Sequence, residues 1–128
     1  FIYYGLPAVT GSENGFGSAG YFQAVNDIDT EIGKLTAGLQ EAKMLQNTTL
    51  IITADVGKTT GSNIAQNTSD IEVPWIISGP AVHKNIVIEA ANDIMNTSPV
   101  IARILGLKTP PEWIGKPVAE VFVFALNF

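Results

Sequence analysis

The stretch Thr48-Thr49-Leu50-Ile51-Ile52-Thr53-Ala54-Asp55-Val56-Gly57 decides how the chain is read. Leu50, Ile51 and Ile52 form an unbroken apolar row, the pattern of a strand buried on both faces of a parallel sheet. The row ends in one carboxylate, Asp55, two residues before Gly57. In open α/β sheets, ligands and catalytic groups collect in the crevice beyond the carboxyl ends of the strands, so Asp55 is the first candidate functional residue. The competing reading makes it a turn residue whose carboxylate accepts backbone N–H bonds from the Gly57 turn or the adjoining loop.

Working back from this stretch, Tyr21, Phe22, Val25, Ile28, Ile32, Leu35 and Leu39 recur at spacings of three and four, with Asp27, Asp29, Glu31 and Lys34 between them. That period predicts an amphipathic helix from Ala19 to about Met44, with Ser18 as its N-cap. Gly33 and Gly38 each cost such a helix about 1 kcal/mol relative to Ala, and are expected to permit close packing on the sheet. Residues Gly5 to Gly17 carry four glycines among Thr10, Ser12, Glu13 and Asn14, which predicts a long functional loop. The aromatic run Phe1 to Tyr4 reads as a strand, with Tyr3 and Tyr4 in the core.

Working forward, Val56 to Asp70 is a polar loop. Its Gly57-Lys58-Thr59 invites a phosphate-loop reading, which fails because the motif needs a glycine where Ile52 stands. Val73 to Ile77 reads as a strand with Pro74 near its start, and Ile86 to Ile88 as a further short strand. Asn96-Thr97-Ser98-Pro99 offers a cap for a helix through Leu105 that Gly106 ends. A proline-rich turn follows, then the apolar end VFVFALNF, either a last strand or the start of a linker. Trp75 and Trp113 read as packing residues. Strands alternating with helices give an α/β class.

Composition narrows the function classes. The 128 residues are 46% hydrophobic, enough for one core and one domain or part of a larger one. Seven basic against twelve acidic residues, with no Lys/Arg cluster, argue against nucleic acid as a partner. The absence of cysteine removes disulfides, thiolate metal sites and thiol catalysis. No apolar run approaches the ~20 residues of a membrane-spanning helix, so membrane insertion is not expected. The chain opens without Met, directly in FIYY, and reads as a piece of a longer protein.

Order and spacing of the pieces then carry a resemblance. The long helix, Thr49-Leu50-Ile51-Ile52-Thr53-Ala54-Asp55-x-Gly57 and Glu72-Val73-Pro74-Trp75-Ile76-Ile77-x-Gly79-Pro80 come first. Thr97-x-Pro99 with Ile101-Ala102, Leu105-Gly106-Leu107 and Pro111-x-Trp113-x-Gly115-x-Pro117-Val118 follow. Together they resemble the alkaline phosphatase superfamily, in particular its type I phosphodiesterase/nucleotide pyrophosphatase proteins. The resemblance implies an alkaline-phosphatase-like sheet flanked by helices, with residues 1–128 forming a single partial domain, the carboxyl-terminal half of the full fold.

It also implies a two-metal hydrolase, usually dizinc, in which a Thr or Ser nucleophile attacks phosphorus. That nucleophile belongs to the amino-terminal half and is not in this segment. Relatives carry Asp-x-x-Gly-His after the first strand, where this chain has Ala8-Val9-Thr10-Gly11-Ser12, so Ala8 and Ser12 replace the aspartate and the histidine. The Asp-His-Gly of relatives is Asp55-Val56-Gly57 here, and a further loop histidine is replaced in the region of Asn63. Ala8 and Val56 have no donor atoms, Ser12 and Asn63 are weak neutral ligands, and Asp55 alone keeps a ligand-type side chain. One carboxylate cannot confine two cations, so no zinc is expected to bind. The sole histidine, His83, reads as a surface imidazole beside Lys84.

The expected function is therefore that of a non-catalytic, phosphatase-like domain of a larger protein, with a binding or structural role and with the amino-terminal half of the same domain as its partner. One alternative is an active metal-dependent phosphodiesterase or phosphatase whose ligands come from outside this segment. Another is a glycan- or protein-recognition module using the Gly5–Gly17 and Val56–Asp70 loops, with Tyr3, Tyr4 and Phe16 as aromatic contacts. Family analogy favours a periplasmic or cell-surface location. Asn47-Thr48-Thr49, Asn67-Thr68-Ser69 and Asn96-Thr97-Ser98 match the glycosylation sequon, which matters only in a eukaryotic secretory setting.

Overall fold

The computed structural model describes residues 1–55, Gly57 and 71–123. Within them the chain is a mixed α/β structure: α1 (Leu6–Asn14), α2 (Ala19–Glu41), β1 (Leu50–Thr53), β2 (Trp75–Ser78) and α3 (Thr97–Ile104), with short 3-10 turns at Leu45–Asn47, Ile94–Asn96 and Ala119–Val121. It divides into two compact units, residues 1–46 with 53–75, and residues 47–52 with 76–128.

In the first unit, the segment expected to be a loop from Gly5 to Gly17 is helical over most of its length. Pro7 stands in the first turn, where its missing N–H costs nothing. Gly15 closes the helix at φ 92°, its N–H bonding to the Gly11 carbonyl 3.0 Å away. Gly11 is the buried residue of α1, and the Phe16 ring occupies the space a β-carbon there would fill. Phe16 in turn meets Tyr21 edge to face, with centroids 5.7 Å apart. The glycines that made this stretch look unstructured are what lets an aromatic ring fold back on the helix.

Helix α2 forms where the period places it. Ser18 caps it, its Oγ accepting from the Tyr21 N–H at 3.2 Å. Ala24 is buried and Tyr21, Ile28, Ile32, Leu35 and Leu39 are half-buried, one stripe at helical spacing. Phe22 and Val25, expected on that stripe, are exposed beside it. On the outer face Lys34 pairs with Glu31 at 2.6 Å, and this hydrogen bond raises the lysine pKa above its ordinary value. The helix ends with Lys43 at φ 58°. The Lys43 N–H reaches the Gln40 carbonyl (3.0 Å) and the Met44 N–H the Leu39 carbonyl (2.8 Å), a Schellman closure on a non-glycine residue. Phe1 to Tyr4 are not a strand, and Tyr3 and Tyr4 are exposed rather than in the core.

β1 and β2 form a two-stranded sheet. A β-carbon on Gly79, just after β2, would stand 2.9 Å from the Thr49 Cα, just before β1. The start of one strand therefore faces the end of the other, an antiparallel arrangement where a parallel sheet was expected. β1 is half-buried at Leu50, Ile51 and Ile52 rather than buried on both faces, and β2 alternates half-buried and exposed residues.

The core of the second unit consists of Val82, Val100, Ala102, Val118, Val121 and Phe122. α3 contributes Pro99, Val100 and Ala102, and ends at Gly106 (φ 67°) with the same closure as α2: Gly106 N–H to the Arg103 carbonyl and Leu107 N–H to the Ala102 carbonyl. Asn96 does not cap this helix with its side chain. Its Oδ1 instead accepts from the Lys116 N–H at 2.8 Å, while Asp93 caps the preceding 3-10 turn by accepting from the Met95 N–H. The Arg103 guanidinium lies over the Phe122 ring, 4.5 Å from its centroid. Val82 and Phe122 form an antiparallel bridge, flanked by His83 N–H to the Val121 carbonyl and Val123 N–H to the Ala81 carbonyl. Ile86 to Ile88 are not a strand: Ile86 and Val87 are exposed and no strand pairs with them among the described residues. Trp75 is half-buried and Trp113 is exposed.

Candidate functional site

β1 delivers the chain to Ala54 and then to Asp55, which stands exposed in a bend just past the strand. A short apolar strand that ends in a bend leaves such a carboxylate in contact with water. The Thr53 hydroxyl donates to the Ala54 carbonyl at 3.4 Å, a weak local contact at the turn. Gly57 is half-buried.

Ala8 and Ser12 sit one turn apart on α1, both exposed. The i, i+4 spacing puts them on one helix face, so a ligand-bearing pair at these positions would present two donors side by side. In this chain that face offers a methyl group and a hydroxyl. Val56 and Asn63 lie outside the described residues, as do Lys58 to Asp70 of the polar loop and Phe124 to Phe128 of the apolar end. His83 belongs to the other compact unit, where it is exposed on the loop after β2.

The dizinc centre that the resemblance implies is held by carboxylate and imidazole donors. Among the described residues no three His, Asp or Glu side chains come close enough to hold even one ion. The donor set at Ala8, Ser12 and Asp55 does not fit a dizinc centre.

The profile of the type I phosphodiesterase / nucleotide pyrophosphatase family matches residues 2–98, which takes in α1, α2, both strands and the first residues of α3. The chain belongs to this family. Arylsulfatase K of Mus musculus is similar as well, 22% identical over 100 residues, which is 74% of this chain and 18% of the mouse protein. The chain thus spans about a fifth of the length of that relative. No solved structure matches it. Both similarities place the chain within the broad alkaline phosphatase and sulfatase superfamily.

For a phosphodiesterase-family chain, the helix at Leu6–Asn14 is the feature that sequence reasoning missed. Its only local signals are Pro7 near the start and Gly15 past the end, the asymmetry of a helix entry and exit. For the alternative of a recognition surface on Gly5–Gly17, that stretch is mostly helix and Phe16 is half-buried against Gly11 and Tyr21, while Tyr3 and Tyr4 are exposed.

Proposed function

We propose that this chain is a non-catalytic, phosphodiesterase-like part of a larger protein, with a binding or structural role. The observation that carries the reading is the donor deficit: Ala8 supplies no ligand atom, Ser12 a neutral hydroxyl, and Asp55 stands as a single carboxylate. Candidate ligand positions that, Asp55 apart, carry apolar or neutral side chains in a chain of this family support use of the scaffold rather than of its chemistry.

The partner proposed is the remainder of the same domain, this chain being its carboxyl-terminal half. Support comes from the first unit, where Tyr3, Tyr4, Leu6, Val9, Phe22 and Val25 are exposed. It comes also from the sheet, which among the described residues has two strands and would be marginal by itself in water. A periplasmic or cell-surface location is proposed on family analogy.

The test is direct. Full-length protein, dialysed against zinc and assayed with bis(4-nitrophenyl) phosphate, is expected to hold zinc well below stoichiometry and to give no turnover. Asp55→Ala is expected to change neither. Stoichiometric zinc together with hydrolysis that Asp55→Ala abolishes would establish the second reading, an active metal-dependent esterase with ligands supplied from elsewhere in the protein. What favours that reading is the position of Asp55, exposed at the end of β1 where a metal held from another segment would have access to it.

A further inference from the structure

The second unit contains a cleft of about 350 Å³ at the carboxyl end of β2, lined by Ile77, Ser78, Val82, His83, Lys84 and Asn85 among others. Its wall is unlike the rest of the chain. The protein as a whole carries a net charge of -5, yet among the described residues no Asp or Glu lines this cleft, and the lone histidine stands beside a lysine at its rim. Ser78, His83, Lys84 and Asn85 each bring at least one hydrogen-bond donor, while Ile77 and Val82 supply an apolar wall.

The loop leading to these groups is held at the backbone as far as His83. The Val82 N–H bonds to the Gly79 carbonyl (3.3 Å), His83 N–H to Val121 (2.9 Å), and Val123 N–H to Ala81 (3.1 Å). Val82 is buried, and Asn85 takes the left-handed conformation at φ 58° that asparagine tolerates better than most residues. These bonds hold the main chain from Gly79 to His83 in place, so an incoming ligand need not order that part of the loop.

From this we infer that the cleft formed by Ser78, His83, Lys84 and Asn85 is a binding site for a small oxyanion. Lys84 provides charge, Ser78 and Asn85 neutral donors, and His83 an N–H donor in either of its protonation states. The apolar wall leaves room for a small organic group attached to the anion. The site uses none of the positions considered for metal binding, so it stands or falls independently of whether the protein hydrolyses esters.

The experiment is a titration of 15N-labelled full-length protein with sodium phosphate, sulfate and acetate at constant ionic strength, following the amides of residues 78–85. Saturable shifts confined to those amides are expected with at least one anion, and comparison of the three tells a tetrahedral from a carboxylate preference. Lys84→Ala should weaken binding about ten-fold, the loss of one charge-assisted hydrogen bond. Lys108→Ala, which lies outside the cleft, should leave it unchanged. Shifts that remain linear with all three anions, or the same affinity in Lys84→Ala as in the unmodified protein, would overturn the assignment.

Discussion

Thr49 and Gly79 approach so closely that any side chain on Gly79 would meet the Thr49 backbone, with 2.9 Å from an added β-carbon to the Thr49 Cα. No shift of a flexible side-chain end relieves a contact with backbone. Gly79→Ala is therefore expected to destabilise the protein by about 2 kcal/mol, within the range of overpacking substitutions. Urea denaturation of the two proteins measures it, and equal midpoints would show that the strand ends do not abut.

Gly33 and Gly38 present the opposite case. A β-carbon at either would meet nothing within 4 Å, so the close packing expected of them does not occur among the described residues. Both lie inside α2, where Ala is preferred over Gly by about 1 kcal/mol. Gly33→Ala and Gly38→Ala should each raise the denaturation midpoint, and the double substitution should come close to their sum. A lowered midpoint would reveal a neighbour on that face.

Lys43 closes α2 in a conformation that costs an ordinary residue about 1–2 kcal/mol. Lys43→Gly removes that cost and loses some of the gain to the freer unfolded chain. A net stabilisation of about 0.5–1 kcal/mol is expected, readable as a higher thermal midpoint. Lys43→Val should move it the other way.

Val100 has no exposed surface, on α3 at the centre of the second unit's core. Val100→Ala should cost about 2 kcal/mol through lost apolar burial and the cavity left behind. Ile101→Ala, one residue away but exposed, should change stability far less. If the two variants melt together, α3 does not pack through the face described.

What could be read in the sequence was what periodicity encodes. Helix α2 declares itself because its half-buried positions repeat every three or four residues, and β1 because three bulky apolar residues stand in a row before Asp55. Helix α1 was illegible because its support is packing rather than period: Phe16 folds onto Gly11 and α1 lies against α2, and neither leaves a periodic trace. Ile86 to Ile88 failed in the reverse direction, since β-branched residues favour a strand only where another strand accepts their hydrogen bonds. The direction of β2 relative to β1 was equally hidden, because the same alternation serves either orientation. For the candidate site, sequence placed Asp55 correctly after a strand, while the helical setting of Ala8 and Ser12 emerged only with the fold.

The bridge between Val82 and Phe122 joins residues forty positions apart, and it fastens the rim of the cleft to nearly the last described stretch of the chain. A ribosome releases residues in order, so the loop bearing His83 and Lys84 emerges well before the segment that anchors it. During synthesis that loop must wait unanchored until Val121 to Val123 have cleared the exit tunnel, and cleavage just after Val118 would return the mature protein to the same unfinished state.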